Sequence, residues 1–310
     1  MKKFLFKAAA FVLLQLSIFV PFWHPEMPHD NNYLAATIEK HHRLQTTPSP
    51  RLILIGGSNL AFGINSDSLE QELGLPVVNM GLTANLGVRF MLNEAERKIG
   101  RGDIVILSLE HNILADAGSE LTEAQILEVR PASMVFFRAA ELKHLIDHYG
   151  LSIVGGVLRR SLLPGSQREL DDEKSVYKRQ SFNPSGSFTG HYGKGSKRGP
   201  LQVLSIPKMS ADIREKIQEF ARHCRERNAL CFYTCPPYPA AQLSRGQCEI
   251  NENLAQLKEI PDLIVLDSPC DHAYPPELFY DTCYHLTEQG AYERTRTLAL
   301  ELRSFLNSRR

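Results

Sequence analysis

The stretch "LILIGGSNLAFGI", residues 52–64, begins with four consecutive aliphatic residues and breaks at two glycines, after which Ser58 and Asn59 follow. An unbroken apolar run of this length marks a strand covered on both faces, as in a parallel sheet, where a half-exposed strand would alternate. The glycines tolerate a tight turn and close backbone approach. Ser58 and Asn59 are therefore expected just beyond the carboxyl end of the strand, where open α/β sheets bind ligands. Alone, the turn fits a nucleophile, a phosphate cradle or an ordinary polar loop.

Outward from this stretch the same texture recurs. A helix should follow, with Ser66 or Asp67 as cap, Glu70 as the acid of a capping box and Gly74 as terminator. "PVVNMG" (76–81) is a second strand, "NLGVRFMLNEAERKIG" (85–100) a second helix and "DIVILSLE" (103–110) a third strand. Further on come a helix at 210–227, strands in "ALCFYTC" (229–235) and "DLIVLD" (262–267), and an amphipathic helix from about Thr287 to Leu306. The alternation predicts a three-layer α/β/α sandwich around a five-stranded parallel, flavodoxin-like sheet.

Three regions depart from that texture. Lys2, Lys3 and Lys7 precede an apolar stretch from Ala8 to Trp23 broken only by Gln15 and Ser17, the pattern of an export signal. No small-x-small cleavage site follows, so the reading is a retained anchor over 1–23, a cleaved signal peptide being the other version. Residues 24–50 then form a tether containing a short helix, and 51–310 the main domain. Within it, 120–163 is helical and apolar in patches. Residues 165–200 are rich in Gly, Ser and charge, so the insertion at about 120–205 is either a substrate-facing cap or a mobile surface loop.

The whole chain narrows the function classes. It has 310 residues, 43% hydrophobic, with 35 basic and 35 acidic side chains, so no global field recruits nucleic acid. All six cysteines lie between Cys224 and Cys283, and export would expose them to an oxidising compartment where disulfides form. No CxxC pair occurs, and neither a metal nor a cofactor is expected.

The strand ends carry the chemistry. The first delivers Gly56, Gly57, Ser58 and Asn59, the second Gly81, the third Glu110, His111 and Asn112. "FYDTCYHL" (279–286) brings Asp281 and His285 just before the last helix. These are the parts of an acyl-transferring serine enzyme: Ser58 as nucleophile, His285 as base and Asp281 as its orienter. Backbone amides at Ser58 and Gly81, with the Asn112 amide, would meet the oxyanion. Asn59, Glu110 and His111 would line the pocket. Phosphate chemistry lacks support, since there is neither GxGxxG nor a Walker lysine, and GxSxG is absent as well.

"GGSNLAFG", "NMGLTA" and "YDTCYHL" resemble the blocks of the SGNH, or GDSL-type, hydrolases. More closely, the chain resembles a membrane-anchored bacterial group that includes relatives of surface-polysaccharide modification factors. Gly57 stands where that pattern has Asp, "SLEHN" where it has Gly-x-Asn-Asp, and Asp281 and His285 are four apart where it spaces them by three. The resemblance implies a single-pass inner-membrane esterase or O-acyltransferase facing the periplasm. Its substrate would be O-acyl groups, such as O-acetyl, on cell-surface glycans. Two alternatives accompany it: an inactive scaffold of a polysaccharide-biosynthesis complex, and an esterase directed at lipid.

Overall fold

The computed structural model describes residues 31–115, 118–162, 175–197 and 205–308, together with Lys7 and Phe11, which are helical. Apart from those two positions, the anchor expected over 1–23 lies outside the described residues. Among the described residues no helix is long and apolar enough to cross a membrane.

Five parallel strands form the central sheet: β1 (Leu52–Gly56), β2 (Val77–Asn79), β3 (Ile104–Ser108), β4 (Leu230–Tyr233) and β6 (Leu263–Val265), in the order β2-β1-β3-β4-β6. A separate pair joins β5 (Tyr238–Pro239) to β7 (Ala273–Tyr274). Every residue of β1 and β3 is buried, which is the reason their sequences are continuously apolar.

Alternate side chains feed two cores. Ile53, Ile55, Val105, Leu107 and Tyr233 point to one face. There they meet α1 (Thr37–Thr46), α4 (Gly87–Glu96), α7 (Ala211–Glu226) and α8 (Ala240–Lys258). Leu52, Leu54, Ile104, Ile106 and Phe232 point to the other and meet α3 (Ser66–Leu73) and α9 (Glu288–Ser308). The result is an α/β sandwich with helices on both faces of a parallel sheet.

Several local expectations need correction. Helix α3 is capped by Asn65, whose Oδ1 accepts the Ser68 amide at 2.9 Å, and not by Ser66 or Asp67; Gly74 ends it in the left-handed conformation at φ 65°. Helix α1, assigned to the tether, packs on the sheet, with its N-cap Ala36 and Leu44 in the core. Helix α8 was missed altogether. All six cysteines are free thiols, so the disulfides expected from an export route are not formed.

The insertion divides in two. Helices α5 (Glu120–Val129) and α6 (Ala139–Leu162) pack on each other through Ala124, Leu127, Leu145 and Ile153. The described part of the irregular stretch, 175–197, instead folds back over α2 (Ser58–Gly63): the Phe188 amide donates to Ala61 O at 2.8 Å, and the Phe188 ring stacks on Phe62 at 4.2 Å.

Candidate active site

The Gly56-Gly57 turn ends β1 and Ser58 opens α2, half-buried, with Gly57 as N-cap. Residues four apart share a helix face, so Ser58 and Phe62 lie along one side of α2. The Phe62 ring rests flat on the His285 imidazole, with centroids 3.9 Å apart and planes 6° from parallel. Helix α2 thus presents Ser58 and a platform for His285 on the same face.

His285 and Asp281 belong to a closed loop. The Tyr280 amide donates to His285 O at 2.8 Å, and Thr282 Oγ1 accepts the amides of Tyr284 and His285. That loop accommodates the spacing of four and aims the two side chains at each other, His285 Nδ1 lying 2.8 Å from Asp281 Oδ1. Tyr177, on the 175–197 segment, donates its hydroxyl to Asp281 Oδ2 at 2.6 Å and lies 3.1 Å from His285 Nδ1. An ionised carboxylate only accepts, so the Nδ1 proton belongs on His285 and Nε2 keeps its lone pair. Burial would push the Asp281 carboxyl up, but the bonds from His285 and Tyr177 more than reverse it and hold the group below the usual carboxylate range. Burial first, then the Asp281 carboxylate, pushes the Tyr177 phenol far up, so it stays protonated and donating.

Tyr177 was not anticipated. It comes from a segment dominated by polar and flexible residues, 104 positions from Asp281, and only the density of aromatics there, with Phe182, Phe188 and Tyr192, hints at packing.

The other predicted residues take different places. The Gly81 amide donates to Asn79 Oδ1 at 2.9 Å, so meeting an oxyanion requires giving up that bond. A Cβ at Gly81 would stand 2.6 Å from Leu60 Cβ, so this glycine lets the β2 turn approach α2. Asn59 is wholly buried: its Nδ2 donates to Ser108 O, and its Oδ1 accepts from Ser108 Oγ and Arg294. It ties the turn to α9 and does not line a pocket. His111 is buried beside Tyr238 and Tyr284, its pKa lowered to about 4 by desolvation, and it borders a cavity of about 10 Å³. Asn112, like His111, belongs to a short 3-10 turn, and its buried Oδ1 has no hydrogen-bond partner.

Glu110 occupies the most consequential position. It is fully buried, Oε1 accepts the Asn59 amide at 3.0 Å, and Oε2 has no hydrogen-bond partner. A Cβ at Gly57 would collide with both of its carboxylate oxygens and stand 2.7 Å from the Ala84 amide nitrogen. The carboxylate of Glu110 thus fills the space into which a side chain at 57 would project. Glycine at 57 and glutamate at 110 therefore depend on each other for space.

Among the described residues, Asp267, His272 and Glu301 have ligand atoms within 4.8 Å of one another, the one grouping that approaches a metal set. His272 Nε2 is already bonded to Asp267 Oδ2 at 2.8 Å, and Asp267 also accepts from Thr234 Oγ1 and the Cys235 amide. A metal would have to break that ring of bonds.

Fold and site together define a three-layer α/β protein with an Asp–His pair held against the helix that follows its first strand. No family model matches the chain, and no curated protein matches it.

Proposed function

We propose that the protein is an SGNH-like serine esterase or O-acyltransferase, held at the cytoplasmic membrane by its N-terminal segment and acting outside it on O-acyl groups of cell-surface glycans. The observation that carries this reading is the Asp281–His285 pair stacked on Phe62, one helical turn from Ser58. In the reaction, His285 Nε2 takes the Ser58 hydroxyl proton as Oγ attacks the acyl carbonyl, and Asp281 steadies the imidazolium that forms. The Ser58 amide meets the oxyanion. The proton then passes to the departing sugar hydroxyl, leaving an acyl-serine for water or an acceptor alcohol. No cofactor enters this scheme.

A scaffold role is favoured by two observations, the commitment of the Gly81 amide to Asn79 and the carboxylate of Glu110 beside the serine turn, which opposes a developing negative charge. Incubation of the full-length chain with a fluorophosphonate probe and with p-nitrophenyl acetate separates the two. Labelling abolished by Ser58→Ala supports the enzyme; a folded wild type that neither labels nor hydrolyses supports the scaffold. A strong preference for long-chain over acetyl esters would move the substrate from glycan to lipid.

A further inference from the structure

The exposed large apolar side chains of the described residues concentrate on the first part of the insertion. Leu121, Met134, Val135, Ile146 and Leu151 lie on α5, on α6 or on the turn between them, against Phe11, Tyr292 and Leu300 elsewhere. Leu151 is the extreme, 94% exposed. Single exposed apolar residues are ordinary, but a concentration of them on one unit marks a contact surface.

The roll of α6 decides which side is open. Leu145 and Ile153 pack with Ala124 and Leu127 of α5. Ser152 Oγ donates to Glu128 Oε1 at 3.1 Å, and a Cβ at Gly156 would stand 2.5 Å from Glu128 Cδ. With that face against α5, the helical period turns Leu151, Val154, Gly155 and Leu158 outward. Leu151 and Gly155 are exposed, Val154 and Leu158 half-buried, and a Cβ at Gly155 would meet no atom within 4 Å. The two halves of α6 differ in charge. Lys143 is bonded to Asp147, His144 to Glu120, and Arg138, just before the helix, to Glu141. Residues 149–158 contain no acidic or basic side chain. Their outward face therefore offers apolar contact without charge.

Two facts select what covers it. At 1.5 Å rise per residue and a helix width of ~10 Å, this face amounts to ~150 Å², far below the ~800 Å² that each partner of a stable dimer buries. The chain's own apolar stretch also ends nearby. Asn32 pairs with Lys178, and Tyr33–Ala36 packs on α5, while the chain from Trp23 to Asn31 can span at most ~28 Å. Helix α6 is not apolar enough to cross a bilayer. One polar side and one apolar side are what a helix lying in the plane of the lipid interface needs.

We propose that the outward face of α6 around Leu151 rests on the lipid surface into which the N-terminal segment inserts. This contact rests on the membrane anchoring proposed above and is independent of the chemistry at Ser58.

Trp23 is the one tryptophan of the chain, so a Trp23→Phe background permits a single reporter indole. Full-length chains carrying Leu151→Trp, or Leu300→Trp on the exposed side of α9, are reconstituted into phosphatidylcholine–phosphatidylglycerol vesicles with and without brominated acyl chains. Both positions are exposed, so neither substitution disturbs packing, and thermal unfolding verifies the folds. A face buried ~5–10 Å into the interface should let bromine quench the Leu151→Trp emission ~2-fold or more and that of Leu300→Trp less than ~1.2-fold. Because the contact is apolar, the quenching should be the same at ~0.1 M and ~1 M salt. Vesicle-bound chain with no quenching at position 151, or with equal quenching at both positions, would overturn the lipid contact and leave the anchor standing. Shielding of position 151 from acrylamide without bromine quenching would place protein, such as a second copy, on this face and overturn it too. A chain that does not float with the vesicles would remove the anchor and this contact together. Esterase activity enters none of these readings.

Discussion

Among the described residues, two Asp–His pairs share one spacing in opposite circumstances. In Asp281–His285 and in Asp267–His272 the imidazole nitrogen stands 2.8 Å from the carboxylate. The first pair retains some side-chain exposure, 18% for the acid and 9% for the histidine, while both members of the second are at 0%. In the first pair Asp281 fixes the Nδ1 side of the ring, and Phe62 supports its face. The second joins the segment after β6 to Thr234 at the end of β4, and its Nδ1 has neither solvent nor partner. A histidine needs a reachable lone pair to move a proton; only the first pair offers one. The second is a hydrogen-bonded clip between neighbouring strand ends.

The largest effects should separate the pairs by chemistry. Ser58→Ala and His285→Ala are expected to cut fluorophosphonate labelling by ~10³-fold or more, the scale of losing a nucleophile or its base. Folded His272→Ala should label at close to the wild-type rate. Labelling that survived in His285→Ala and vanished in His272→Ala would exchange the roles.

Stability should separate them the other way. His272→Ala strips a fully buried carboxylate of its imidazole partner and is expected to cost ~3 kcal/mol in urea unfolding, against ~1 kcal/mol for the partly exposed Asp281 losing His285. Equal costs would mean that both pairs are structural.

The close fit of Glu110 against Gly57 makes a third prediction. Gly57→Asp should cost ~3 kcal/mol by driving a second carboxylate into Glu110, and pairing it with Glu110→Gly should recover ~2 kcal/mol of that. Additive losses in the double variant would show that the two positions are independent.

Tyr177→Phe should have a smaller effect, ~1 kcal/mol for one hydrogen bond to a carboxylate. Asp281 has a depressed pKa in the folded state, so its contribution is present above the unfolded value and lost as pH falls through the folded one. Without the Tyr177 donor the folded value moves back toward the unfolded one, so the acid loss should be smaller and should finish at higher pH, visible in urea midpoints followed from about pH 6 down through the usual carboxylate range.

The smallest effect concerns Glu301, beside the second pair. Burial, with Asp267 and Asp271, raises its pKa from 4.5 to about 7. The folded state therefore holds a proton that the unfolded state has released, and stability falls as pH rises from 4.5 to about 7. Because Glu301 is half-exposed, solvent screening keeps the effect near ~1 kcal/mol. Glu301→Gln should flatten that slope in thermal midpoints across the window.

The sheet was legible because its cause is local. Four aliphatic residues before Gly56, and "DIVIL" before Ser108, can be stable only where both faces are covered, and the strands pair in parallel as their alternation with helices requires. The left-handed end of α3 at Gly74 was legible for the same reason. Helix α8 was not, because its apolar residues Leu243, Ile250, Leu254 and Leu257 are diluted by "QLSRGQCEINEN". Pairing Asp281 with His285 was within reach, since a loop of five residues can bring them together. The Asn59 role was out of reach: it rests on Arg294, 235 positions away, threading into the turn from α9.

From its own pattern, then, the chain determined a parallel sheet, the placement of Ser58 at the end of its first strand, and a local Asp–His pair. Those follow from apolar periodicity and short loops, which act over a few residues. Tertiary packing alone decided which Asp–His pair stays reachable, that Tyr177 would brace it, and that Glu110 would fill the space beside Gly57. Exposure, donor supply and steric exclusion are set by groups more than a hundred positions apart in the Tyr177 and Arg294 cases, and no local pattern encodes where such groups meet.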